Sequence, residues 1–276
     1  MKDAIKEIYG SEMSLALINS KIHCLVVPAL ALCCVTANAG DLSLATGLDV
    51  SSGQYGSTAS TVVRYVPFTL KYEQGRSTFK ATLPYVSITS PSGGGTITVD
   101  GNGNVISSGG VGPNVTQSGQ GDVVASYSYS LIETPLYGWL MDTTVKVKLP
   151  TGDETKGLST GERDFSLVAD FFYLAGKWTP FLTLGYRMPG NPPGGSLQNT
   201  WLGSLGVGYK LSQTNNVGFM FDAREASTVS SVGSRELTAY WVHKFTPQTK
   251  LQVYVVKGFS DASADQGIGA MVSHKY

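Results

Sequence analysis

The stretch Trp178-Thr-Pro-Phe-Leu-Thr-Leu-Gly-Tyr-Arg-Met188 decides the fold, together with Thr200-Trp-Leu-Gly-Ser-Leu-Gly-Val-Gly-Tyr-Lys-Leu211. In the first, Trp178, Pro180, Leu182, Leu184, Tyr186 and Met188 alternate with Thr179, Phe181, Thr183, Gly185 and Arg187. In the second, Trp201, Leu205, Val207, Tyr209 and Leu211 oppose Thr200, Leu202, Ser204, Gly206, Gly208 and Lys210. Successive side chains of a strand point to opposite sides, so each stretch reads as a strand with one face suited to hydrocarbon and one that accepts charge and water. A third segment repeats the pattern, with Met141, Thr143, Val145, Val147 and Leu149 set against Asp142, Thr144, Lys146 and Lys148.

The same unit recurs along the chain from Gly40. Strands are expected at about 42–52, 61–73, 77–88, 122–133, 139–149, 163–175, 177–188, 200–211, 215–226, 235–246, 249–259 and 266–276. The connections alternate as well. Tight ones fall at Glu73-Gln-Gly75-Arg76, Glu133-Thr-Pro135, Ala175-Gly176-Lys177, Ser212-Gln-Thr-Asn215 and Thr246-Pro247-Gln248. Longer ones cover 53–60, 89–121, 150–162, 189–199, 227–234 and 260–265. Short turns on one side and long loops on the other fit a membrane meander. The fold class expected is all-β: a closed antiparallel transmembrane β-barrel of about twelve strands in an up-and-down order. Closure follows from hydrogen bonding, because an unpaired peptide group in lipid costs several kcal/mol and only a closed sheet has no edge.

Composition excludes other classes. Lys+Arg and Asp+Glu both number 20 and only 14% of residues are charged, so nothing global attracts nucleic acid. Residues 1–39 read as an N-terminal extension and signal peptide. Lys21 is the positive region, Cys24 to Val35 the apolar run, and Ala37-Asn-Ala39 the small-x-small cleavage site; residues before Lys21 are a long n-region or an over-extended start, with Met13 as the alternative. Cys24, Cys33 and Cys34 all lie in that signal, which leaves residues 40–276 without disulfide or thiolate chemistry. Leu32 before Cys33 argues against lipidation, where a small residue is required. Residues 40–276 are expected to form an outer-membrane β-barrel, with the outer membrane of a Gram-negative bacterium as the expected location. Tyr72, Tyr137, Trp139, Tyr173, Trp178, Trp201, Trp241, Phe245 and Phe259 lie near strand ends, as interfacial girdles require.

The more polar face assigns Asp49, Lys71, Lys80, Asp142, Lys146, Lys148, Asp170, Arg187, Lys210, Asp222, Arg224, Glu236, Lys244 and Lys257 to the lumen. Nine are basic and five acidic, a net charge of +4. Two readings stay open: charges that line water favour anions, and charges that pair form a closed plug. The Gly-rich loop 89–121 is the candidate lid. Within it Asp100-Gly-Asn-Gly-Asn104 imitates a calcium loop but fails at Val105, where Gly is required, and at Val111, where Glu is. No catalytic, cofactor or metal constellation is expected. His243 would need a serine at matching depth, and the neighbours expected for it are Phe219, Phe221 and Gln252. Pro67 and Pro180 are candidate kinks for a lateral exit, since each removes a ladder donor.

The last segment places Ile268, Ala270, Val272, His274 and Tyr276 on one face and ends on an aromatic residue, which resembles the recognition signal of outer-membrane proteins. The partners this implies are outer-membrane lipid and lipopolysaccharide, the barrel-assembly machinery and a small-molecule solute; no nucleic acid is expected, and the residues do not fix an oligomeric state.

Leu83-Pro-Tyr85, Gly121-Asp-Val-Val124, Val147-Lys-Leu-Pro-Thr-Gly-Asp153, Gly203-Ser-Leu-Gly-Val-Gly-Tyr-Lys-Leu211 and Gly267-Ile-Gly-Ala270 together resemble a bacterial outer-membrane family of transporter-like barrels associated with the phenol meta-cleavage pathway. The resemblance implies a route for aromatic or other small hydrophobic compounds and carries over no binding residue. The function expected is an outer-membrane channel or transporter for small molecules. The alternative is a non-transporting structural or surface-binding barrel with a closed lumen.

Overall fold

The computed structural model describes residues 40–55, 59–92, 112–229 and 231–276. The signal-peptide reading and residues 93–111 of the candidate lid lie outside the described residues. The strands are β1 (Asp41–Gly53), β2 (Thr61–Gln74), β3 (Ser77–Pro91), β4 (Asn114–Gln120), β5 (Val123–Leu136), β6 (Trp139–Leu149), β7 (Asp164–Tyr173), β8 (Trp178–Met188), β9 (Thr200–Lys210), β10 (Asn215–Arg224), β11 (Ser234–Lys244), β12 (Thr249–Gly258) and β13 (Gln266–Lys275). Neighbours pair antiparallel, and β1 closes on β13 from Ser43↔Lys275 to Ser52↔Gln266. No helix among the described residues is long and apolar enough to cross a membrane; the wall is built of strands.

The wall is a closed twelve-stranded antiparallel barrel, because β4 and β5 share one position in it. β5 pairs with the lower part of β3 (Ser77↔Tyr129 to Thr82↔Val124) and β4 with the upper part (Tyr85↔Gln120 to Pro91↔Asn114). The register slips by one residue at Gly121-Asp122, where Gly121 N–H donates to the Pro84 carbonyl at 2.9 Å. Part of the expected 89–121 loop is therefore strand, since 89–91 continue β3 and 114–120 pair with Tyr85 to Pro91 as β4. The fourth expected strand accordingly has a second, earlier piece.

One short turn differs from expectation. β5 continues to Leu136 and the reversal falls on Tyr137-Gly138, whose φ angles are +51° and +88°. A two-residue turn with both φ values positive matches the twist of the flanking strands, and Gly138 tolerates that geometry. Pro135 sits where the β5–β6 pairing slips, between Ile132 and Leu136, so its missing N–H costs no ladder bond.

Outward positions carry the apolar residues. Trp178, Leu182, Leu184 and Met188 are exposed on β8, and Trp201 and Leu205 on β9. Aromatic pairs mark both ends of the wall. Trp139–Tyr173 (5.0 Å between centroids), Trp178–Tyr209 (4.5 Å) and Phe79–Tyr127 (4.9 Å) lie toward the short turns, and Tyr186–Trp201 (4.8 Å) lies toward the long loops. His243 belongs to the short-turn belt. It faces outward between Trp241 and Phe245, donates through Nδ1 to Asn215 Oδ1 at 2.9 Å, and has Asn215 and Leu251 as its cross-strand partners rather than the expected Phe219, Phe221 and Gln252. His274 is also outward, at 2.8 Å from Thr249 Oγ1 and against the Tyr276 ring.

At Pro67 the β1–β2 pairing lapses between Thr46↔Phe68 and Asp49↔Tyr65 with the register unchanged. Pro67 faces Pro84 across the intact β2–β3 ladder. Pro180 pairs with Val207 on β9, while on its other side the β7–β8 ladder ends at Phe172↔Phe181.

Candidate solute path through the barrel

Inward parity runs through odd residues on β1, β2, β8 and β13 and even residues on β3, the paired part of β5, β6, β7 and β9 to β12, as the buried positions show. Register then connects inward charges of different strands into rows. One row passes Ser43, Lys71, Lys80, Ser126, Lys146, Ser166 and Arg187, each opposite the next. A second passes Ser130, Asp142, Asp170, Thr183, Ser204, Asp222 and Glu236. Cations and carboxylates are therefore sorted onto separate rows of the inner wall. Like charges directly opposite repel, and hydroxyls intervene: Thr183 donates to Asp170 Oδ1 and Ser204 to Asp222 Oδ1. Lys148, Lys210, Arg224 and Lys244 also occupy inward positions, as does Asp49, whose Oδ2 accepts from the Tyr254 hydroxyl at 2.9 Å.

Lys257 does not belong with them. Buried Tyr254 fixes the inward parity of β12, so Lys257, three residues on, shares the outward face with Val255 and Leu237. Its stem runs toward the rim and Nζ donates to the Asp265 carbonyl at 2.9 Å, which keeps the charge out of hydrocarbon. The run Val253-Tyr-Val-Val256 is apolar at both parities, and that hides the alternation in the sequence.

At the long-loop mouth the inward charges tie loops down. Lys148 Nζ donates to Asp122 Oδ2 (2.8 Å) and Thr160 Oγ1 (2.6 Å) and lies 3.7 Å from Asp164 Oδ1. Arg187 Nη2 donates to Asp164 Oδ2 at 2.6 Å, and all four charged side chains are buried. The carboxylates also take loop N–H groups: Gly152 on Asp122 (3.0 Å), Gly190 on Asp164 (3.2 Å) and Ala264 on Glu236 (3.3 Å).

This latch seats the β6–β7 loop inside the mouth. A 3₁₀ turn, Glu154–Lys156, is capped by Asp153; hydrogen bonds from the Thr155 hydroxyl and the Thr155 and Lys156 N–H groups hold the Asp153 carboxyl below the usual carboxylate range. The chain then turns through Gly157, at φ +67°, and drives Leu158 to 1% exposure among Val63, Tyr65, Val86 and Ile88. Tyr55, from the β1–β2 loop, packs on the same cluster, and burial pushes its phenol well above the usual tyrosine range. The inserted loop among the described residues is thus 150–163. The sequence does not show this, because Leu158 stands alone among polar neighbours and its partners are distant in the chain.

A second feature absent from the sequence reading is an apolar patch on the inner wall: Leu140, Phe172, Phe181, Met220, Tyr240, Val242 and Tyr254. Several of its rings lie along the wall over glycines. A Cβ at Gly269 would collide with the Tyr254 ring, one at Gly218 with Tyr240, and one at Gly206 with Phe181. Glycine at those three positions lets each ring lie tangential to the wall instead of projecting toward the axis. Among the described residues no group of three or more His, Cys, Asp or Glu is placed to hold a metal ion.

No family model matches the chain, and no curated protein matches it. Among solved structures, an outer membrane channel from Pseudomonas putida F1 aligns with a TM-score of 0.66 at 13% identity, over 91% of this chain and 100% of that one. The KdgM porin aligns with a TM-score of 0.52 at 6% identity, over 84% of this chain and 98% of that one. At these identities the likeness is one of fold and ties the chain to no degradation pathway: the protein is a β-barrel of the architecture found in outer-membrane channels.

Proposed function

We propose that the protein sits in the outer membrane of a Gram-negative bacterium and passes small solutes across it, with the β6–β7 loop narrowing the long-loop mouth. The observation that carries this reading is the two-faced closed wall, leucines and tryptophans outside and sorted rows of charge inside. The apolar patch around Phe172, Phe181 and Met220 supports passage of small aromatic or hydrophobic compounds, since it offers a sliding surface on the short-turn side of the acidic row. The same proposal has the barrel delivered by the barrel-assembly machinery into a lipopolysaccharide-bearing membrane.

A rival reading, a barrel closed by paired charges and serving as scaffold, draws on the buried Lys148–Asp122–Asp164–Arg187 latch. Single-channel recording of the purified, heat-modifiable barrel in planar bilayers separates the two. Discrete conductance steps are expected, whereas a folded barrel that never conducts and admits no solute into liposomes would favour the scaffold.

A further inference from the structure

The outer wall changes character around the barrel at its long-loop end. On β8 and β9 that end presents Tyr186, Met188 and Trp201. On β2 to β4 it presents Arg64, Ser87, Thr89, Thr116 and Ser118. Arg64 is exposed and points outward between the buried, inward Val63 and Tyr65. The facing of β4 follows from Gly119, where a Cβ would meet Leu158 inside the mouth, so Thr116 and Ser118 face out. Among the described residues no ion pair or hydrogen bond engages the Arg64 guanidinium, and no Asp or Glu occupies an outward position of β13 or of β1 to β4.

Register makes these side chains one patch. Arg64 stands opposite Ser87 and Ser87 opposite Ser118; one step nearer the loops Thr89 stands opposite Thr116, their hydroxyls 2.9 Å apart. With strands about 4.8 Å apart and same-face residues about 6.7 Å apart along a strand, the patch measures roughly 10 by 7 Å, within reach of one arginine side chain. On the side away from the loops it is followed by the pair Val66↔Tyr85 and then by Phe68↔Leu83, whose side chains are both exposed. Cation and hydroxyls, then a tyrosine, then hydrocarbon is the order in which a membrane lipid presents headgroup, interface and acyl chains. A cation on the lipid face is costly at the bilayer midplane and tolerated at headgroup depth, where a lipid anion neutralises it.

We propose that this sector binds the phosphorylated sugar headgroup of a lipid A-type glycolipid in the outer leaflet. The Arg64 guanidinium donates two parallel hydrogen bonds to a phosphate, the Ser87 and Ser118 hydroxyls meet polar groups of the sugar, and the acyl chains lie on Phe68 and Leu83. The row of hydroxyls beside a single cation favours a sugar phosphate over a glycerophospholipid, which brings the anion without the sugar. The inference rests on the outer-membrane placement proposed above and names the part of the wall that meets the lipid; it does not depend on whether the lumen conducts.

The test is native mass spectrometry of the folded barrel released from detergent micelles, with diphosphoryl lipid A, its dephosphorylated form and phosphatidylglycerol as probes. Diphosphoryl lipid A is expected to be retained about tenfold more than either of the others, and Arg64→Gln is expected to bring it down to the dephosphorylated level. Arg163→Gln, which removes another exposed arginine just before β7, is expected to leave retention unchanged. Heat-modifiable migration checks that each variant folds. If Arg64→Gln fails that check, the double variant Ser87→Val/Ser118→Val takes its place, with a loss of about threefold expected. Phosphatidylglycerol retained as well as lipid A, an equal loss in Arg163→Gln, or a folded Arg64→Gln or serine variant that holds lipid A like the parent overturns the proposal. Density-gradient fractionation of cell membranes tests the placement separately. A barrel in the outer-membrane fraction whose lipid A retention ignores Arg64 removes the site and keeps the placement; one found in another fraction that still selects lipid A through Arg64 does the reverse.

Discussion

Lys148 and Lys257 show how much a single side chain's surroundings decide. Both are lysines near the long-loop end of a strand, yet one is locked inside among Asp122, Thr160 and Asp164 and the other lies outside against the Asp265 carbonyl. Breaking a buried pair from one side leaves uncompensated charge, so Lys148→Met should cost about 3–5 kcal/mol and free the β6–β7 loop to proteolysis. Urea unfolding of the detergent-solubilised barrel and limited proteolysis read this; an unchanged midpoint with an intact loop would show that the latch bears no load. Lys257→Leu should instead leave ion selectivity unchanged, because the residue faces away from the lumen. A shift in reversal potential under a salt gradient would return Lys257 to the inside. A charge reversal at Lys148 would therefore report on the latch and not on lumen charge, since Lys148 is a structural partner of two carboxylates.

At the scale of elements, the loop that enters the mouth among the described residues is the one between β6 and β7. Its seat combines a capped 3₁₀ turn, a left-handed glycine and one buried leucine, while 89–91 and 114–120 are paired strand positions of β3 and β4. Replacing residues 154–160 by a short Gly-Ser link should therefore raise single-channel conductance while the barrel still folds, because strand closure does not pass through this loop. Deleting part of 93–112 should raise it less. The opposite order would return the lid to the β3–β4 connection. A lone leucine between Gly157 and Ser159 gives no local signal of insertion, and its apolar seat on β2 and β3 exists only once those strands are curved around it.

At the scale of the molecule, stability rests on closure. Removing β13 by truncation before Gln266 would expose the β1 and β12 edges to lipid, about ten ladder positions on each side. The truncated chain should yield no heat-modifiable species in detergent gels; a heat-modifiable band would mean that the wall closes without its last strand. The strand plan was legible in the residues to within a few positions because period-two alternation is a local property, imposed by lipid on one face and water or polar neighbours on the other. The Tyr137-Gly138 turn was misplaced because Pro135 is a strong turn residue, and only the slipped β5–β6 ladder shows it tolerated in the strand. The two-faced closed wall thus followed from the chain by itself. Which inward charges fasten loops, the parity of Lys257, the place of Leu158 and the orphan amide of Asn216 were settled by the tertiary structure alone. Each depends on residues brought together by register and curvature, and those are fixed only when the first strand meets the last.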